Sequence, residues 1–110
     1  MIYIFSAFYA EAKNIIDHYG LKKEKSPEMV RFDVFANESI RLVITGVGEI
    51  NAAVAVSNIG GAYGISPDDE ILNVGCGAGF SSDICLGSIF LGNKLTEQMT
   101  GRTFYPDMLM

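Results

Sequence analysis

The stretch ILNVGCGAGF, residues 71–80, joins a short apolar run to three glycines at alternate positions. The apolar half reads as a buried strand. The glycine half reads as a turn in which backbone, not side chain, meets whatever lies beyond the strand. What surrounds this stretch decides the fold.

Upstream, IYIFSAF (residues 2–8) is almost wholly apolar, as for a strand covered on both faces. From Tyr9 to Tyr19 the period changes. Ala12, Ile15, Ile16 and Tyr19 recur at helical spacing, and Gly20 stands where a C-cap glycine belongs. KKEKSPE is a polar loop. MVRFDVF alternates, and IRLVIT (residues 40–45) returns after the turn ANES, so the two predict a hairpin. GVGEINAAVAVSNIGGAYG follows. It predicts a helix over about residues 49–63, apolar nearly all round, packed on the sheet or between subunits, and broken by Gly60, Gly61 and Gly64. Downstream, GSIFLGNKL (residues 87–95) reads as a further strand, and TEQMTGRTFYPDMLM has no clear period. The strands near 2–8, 29–36, 40–45, 70–75 and 87–95 and two helices predict an α/β fold with a mixed sheet and flanking helices. Met108-Leu109-Met110 closes the chain without a helix, which reads as one domain that is part of a larger fold.

Bulk properties narrow the function classes. The 110 residues suffice for one small domain. Hydrophobic residues make up 49% and the net charge is −5, so the chain lacks the basic patch that nucleic-acid binding needs. Lys22, Lys23 and Lys25, interrupted by Glu24, read as a solvated loop. No run of about 18 apolar residues predicts a membrane span. The N-terminus lacks the basic region of a signal peptide. Cys76 and Cys85 make no CxxC motif and have no companion cluster, so no metal site is expected and a reducing cytoplasm is the simplest setting. His18, the one histidine, falls on the polar side of its helix.

Two familiar glycine motifs do not fit. A dinucleotide fingerprint needs GxGxxG after the first strand, whereas GVGEIN follows the third and carries Asn51 in the last place. A methyltransferase needs a helix after VGCGAG, and FSSDICLGSIFLG leaves room only for a short turn. On residue types alone, the glycine run of residues 75–79 serves equally as a sugar- or anion-facing loop or as a tightly packed turn. Glu11 on residue types alone is an ordinary acid in a first helical turn, where the macrodipole favours it.

The order of SAFYAEA, TGVGEINAA, NVGCGAG and LGSIFLGNKL resembles the nucleoside phosphorylase and nucleosidase superfamily, over nearly all of the chain. The subgroups it looks most like are the methylthioadenosine/S-adenosylhomocysteine nucleosidases and the futalosine hydrolases, or a clostridial-type nucleoside phosphorylase. The resemblance implies the N-terminal half of a three-layer fold that cleaves the N-glycosidic bond of a purine-type nucleoside without a cofactor. It implies Glu11 as the carboxylate that activates water, and Ser6, Gly46, Gly48, Cys76 and Gly77 around ribose or phosphate in one pocket. It also implies Phe104 and Tyr105 as a lid on a neighbour's pocket, in a homodimer or a complex with a C-terminal half. Partner contact is expected through the helix of residues 49–63 or the tail of residues 104–110. Departures from the phosphorylase pattern favour water over phosphate: Asn73 stands where that pattern has Arg, and FYAEAK lacks the Arg of the first loop. Cys76 replaces a serine and is a weaker hydrogen-bond donor. The acid that protonates the leaving base belongs to the C-terminal half of the family chain; Asp83 and Asp107 are the spare acids here, in unmatched contexts. The chain alone is therefore expected to be catalytically incomplete. The alternative is a non-catalytic or split-enzyme subunit that assembles with a second half.

Overall fold

The computed structural model describes residues 1–106 as part of two compact units, Met1–Gly77 and Ala78 onward. Asp107 and the Met108-Leu109-Met110 end lie outside the described residues.

The first unit is built on β1 (Ile2–Ser6), α1 (Tyr9–Tyr19), β2 (Lys22–Lys23), β3 (Asp33–Ala36), β4 (Ile40–Ile44), α2 (Glu49–Tyr63) and β5 (Glu70–Asn73). The five strands form one sheet in the order β2-β3-β4-β1-β5. β1 runs parallel to β4 on one side and to β5 on the other, while β3 is antiparallel to β2 and β4. The sheet is therefore mixed, as expected, and the first strand in sequence lies inside it, between β4 and β5.

Strand alternation explains why β1 is apolar on both sides. Tyr3 and Phe5 join Val34, Val43, Ala55 and Ile59 in a core under α2. Ile4 joins Ala12, Ile16, Leu21, Ile40 and Leu42 in a second core under α1. One helix thus covers each face, and the period-2 pattern of the strands meets the helical period twice. Gly20 ends α1 at φ 64°, a left-handed conformation that glycine adopts without steric cost, as its position predicts.

Three expectations need correction. Lys22 and Lys23 are not loop: they form the short edge strand β2 on Phe35 and Ala36. Two exposed lysines suit an edge, where charge discourages further pairing. The strand expected from residue 29 starts at Asp33. Ahead of it, the Asn58 amide of α2 accepts from Arg31 N (3.1 Å) and donates to Met29 O (2.9 Å), which fixes that backbone without a strand partner. Gly60 and Gly61 do not break α2, which runs on to a cap at Gly64. On α2, Ala55 and Ile59 are buried against the sheet, while Ile50 and Val54 are exposed.

The fourth correction concerns the second unit. No strand spans residues 87–94; only Leu95–Thr96 (β6) pairs, antiparallel, with Thr103–Phe104 (β7). Ile89, Phe90 and Leu91 are exposed, and among the described residues no strand lies alongside them. Apolar strand composition forms no strand without a neighbour to take its backbone hydrogen bonds.

A polar clamp closes the α2 side of the sheet, away from the strand ends that follow below. Arg41 lies 3.9 Å from the Tyr63 ring centroid and donates to Tyr3 Oη (3.1 Å), with Glu24 Oε2 3.6 Å from its Nε. Tyr63 Oη donates to the same Glu24 oxygen at 2.7 Å. Burial pushes the Tyr63 phenol above its ordinary value, and the hydrogen bond to Glu24 adds to the shift. A raised folded-state value means that the unfolded chain loses this proton first. Stability from Tyr63 is therefore complete below about pH 10 and declines as pH rises beyond it. Tyr63→Phe should flatten that alkaline decline in thermal melts taken from pH 8 upward. An unchanged slope would mean that Tyr63 does not titrate from this environment.

Candidate functional site

The parallel strands β4, β1 and β5 end at the same edge of the sheet, and their ladders continue past the strands. Thr45 N donates to Ser6 O (2.8 Å), Gly46 N to Ala7 O (3.1 Å) and Val74 N to Phe5 O (3.0 Å). The chain leaves β1 into α1 on one face and leaves β4 into α2 on the other. Such a divergence opens a crevice outside the carboxyl ends of the strands, the usual ligand position in α/β sheets.

A cleft of about 340 Å³ occupies that position, lined by Ala7, Thr45, Gly46, Gly48, Glu49, Ala52 and Asn73. Its floor is backbone because its glycines require it. Gly46 and Gly48 have φ of 86° and 96°. A Cβ on Gly46 would stand 3.2 Å from the Asn51 amide, whereas one on Gly48 would meet nothing within 4 Å. With ψ 160°, Gly48 lies in a region that is essentially glycine-only. Gly48→Ala should therefore cost about 1–3 kcal/mol through backbone strain alone. A denaturation midpoint equal to wild type would show that the loop relaxes at no cost.

Asn51, in the place of a third fingerprint glycine, turns its amide back to donate to Val47 O (2.6 Å). Glu49 is the one charged residue lining the cleft. It sits in the first turn of α2, where the helix dipole favours an acid.

Glu11 lies on the other side of the sheet edge, in the first turn of α1. Its Oε2 accepts from Cys76 N at 2.8 Å, across 65 residues of sequence. The contact does not depend on glycine at 75, since a Cβ on Gly75 would stand at an ordinary 3.6 Å from the same oxygen. The other oxygen, Oε1, is buried and has no hydrogen-bond partner. Ser6, at the end of β1, is 1% exposed, and its Oγ is also unpartnered.

The expected site residues are therefore distributed in three ways. Gly46 and Gly48 line the cleft. Ser6, Glu11 and the Cys76 backbone gather at the ends of β1 and β5, on the side of α1, while Gly77 is exposed and lines no cleft wall. Phe104 and Tyr105 belong to the second unit, both half-exposed, with the Arg102 guanidinium 5.4 Å from the Phe104 ring centroid. The reading by residue type missed Thr45 and Glu49, and treated Asn73 only as a missing Arg. Strand ends at one edge are the signal that finds them. His18 is exposed and stacks edge-on with Tyr19 near the far end of α1.

Cys76 and Cys85 are both free and exposed. Among the described residues no three His, Cys, Asp or Glu side chains group as metal ligands, and no helix is long and apolar enough to cross a membrane. No family model, curated protein or solved structure matches the chain.

Proposed function

We propose that this chain carries the N-terminal half of a site that hydrolyses the N-glycosidic bond of a purine-type nucleoside. The observation that carries the reading is the Glu11 carboxylate: one oxygen is tied to the Cys76 amide, and the other is buried and uncommitted. A carboxylate fixed in this way can take a proton from water while keeping its orientation. The water oxygen then bonds to the anomeric carbon as the C–N bond breaks. The bonding pair leaves with the base nitrogen, which needs a proton from an acid outside this set of residues. The motif order in the sequence supplies the substrate class.

The cleft, which Glu11 does not line, carries no cationic donors for phosphate, in keeping with the departures of the sequence from the phosphorylase pattern. Its one charged wall is the acid Glu49, and no Arg or Lys lines it. A phosphate site gathers such donors, because a polyanion is held by charge-assisted hydrogen bonds.

A second reading, an assembly subunit without chemistry of its own, is favoured by apolar exposure. Val47, Ile50 and Val54 are exposed beside and along α2, and Ile71 and Leu72 are exposed on opposite faces of β5.

Release of free base from methylthioadenosine, S-adenosylhomocysteine, futalosine and inosine, with and without phosphate, separates these readings. The chain should be inactive alone and should hydrolyse one of them when a C-terminal half is supplied. Phosphate-dependent release would mean the wrong nucleophile. No release from any assembly would leave the subunit reading.

A further inference from the structure

We propose that the outer edge of β5 pairs with β5 of a second copy of this chain, antiparallel about a two-fold axis at Ile71. The sheet has two edges, and they differ. The β2 edge carries Lys22 and Lys23, both exposed, and such charges discourage further pairing. The β5 edge carries Ile71 and Leu72, 52% and 44% exposed, with Glu70 as its one charge. Ile71 and Leu72 lie in register with Tyr3 and Ile4 of β1, which are buried, so the cover over both faces of the sheet stops at β1.

Half of the β5 backbone is already used. Glu70 N donates to Met1 O and Val74 N to Phe5 O, so alternate residues turn their backbone groups to β1. Ile71 and Asn73 turn theirs outward, where among the described residues no strand takes them. Free backbone groups on an apolar edge are a template for another strand.

The sequence of β5 is complementary to itself. A closed dimer has a two-fold axis, and two copies of one edge strand then meet antiparallel. An axis at Ile71 lets its N–H donate to the C=O of the partner's Ile71, and the reverse, as one hydrogen-bonded pair. By register Ile71 shares the face of Tyr3, under α2, so the two isoleucines lie side by side there as a β-branched pair. Glu70 falls opposite the partner's Leu72, and no acid faces an acid. An axis at Glu70 would set two carboxylates against each other. Such pairing gives the assembly reading its partner, and it holds whether or not the chain cleaves a nucleoside.

The test is the mass of the whole 110-residue chain by sedimentation equilibrium over rising concentration. Wild type should move from one chain mass toward two. Ile71→Lys and Ile71→Glu should each stay at one, because like charges then meet across the axis. Their equimolar mixture should regain the dimer, a result that requires residue 71 of one copy to face residue 71 of the other. In dilute solution both variants should melt as wild type does, since changes at an exposed edge cost little, which separates a lost contact from a lost fold. A wild type that stays at one chain mass would leave the edge to a strand of different sequence and overturn the proposal. A dimer that persists in Ile71→Lys, or a mixture that stays at one chain mass, overturns it too. Base release plays no part in this measurement, so its outcome and that of the hydrolase assay are separate.

Discussion

Glu11→Gln should lower nucleoside hydrolysis by the completed protein about 10²–10⁴-fold, the usual contribution of a positioned acid or base. The substitution keeps size and shape. It also keeps a carbonyl oxygen that can accept from Cys76 N, the 2.8 Å contact between α1 and the end of β5. What it removes is the capacity to take a proton. The fall should therefore appear in kcat, with melting temperature and nucleoside KM close to wild type. Glu49→Gln provides the comparison, because Glu49 is the other carboxylate at this sheet edge and lines the cleft. A large loss for Glu49→Gln with little for Glu11→Gln would move the base to the α2 side and reject the assignment.

Leu42→Ala should be the most destabilising of the single core truncations, at about 2–5 kcal/mol. Leu42 is fully buried in β4 and is among the largest side chains so enclosed. It pairs in register with Ile4 on β1 and Phe35 on β3, and belongs to the core under α1. Truncation removes the transfer free energy of the lost atoms and leaves a cavity that neighbouring strands, fixed by their ladders, cannot close. A small domain has about 5–15 kcal/mol in all, so a sizeable fraction of the stability is at stake. Leu72→Ala is the control: the same substitution at a 44% exposed position on edge strand β5. It should shift a urea midpoint little, as surface changes do. Equal shifts for the two would mean that the α1-side core is not the one that holds the chain folded.

The two predictions draw on different levels of information. The core was legible in the residue pattern. Ile2 to Phe5 and Leu42 to Ile44 are apolar at successive positions because both faces of the sheet are covered, and α1 declares itself through Ala12, Ile16 and Gly20. Local period and cap chemistry decide such elements, and both are written in neighbouring residues. Glu11 was legible only through motif order, since a carboxylate in a first helical turn is common. Its hydrogen bond to a residue 65 positions away carries no local trace.

Where local pattern misled, the missing quantity was always a partner. SIFL has the composition of a strand, yet residues 88–91 form none, because composition cannot supply a neighbouring ladder. Lys22 and Lys23 look like loop and form a strand, because Phe35 and Ala36 offer them an open edge. Asn58 looks like a surface residue of α2 and instead fixes Met29 and Arg31.

By itself, the sequence determined the mixed α/β class, the two helices with the glycine cap of the first, and the apolar character of the strands that carry the cores. Those features follow from periodicity, backbone freedom at glycine and burial of apolar surface, all of which act over a few residues. The tertiary structure alone decided the strand order, with β1 between β4 and β5. It also decided that Gly46, Gly48, Glu49 and Asn73 share a cleft, while Ser6, Glu11 and the Cys76 amide gather apart from it on the α1 side. The reason is that both arrangements depend on which strand lies beside which. That choice rests on hydrogen bonds and packing between segments tens of residues apart.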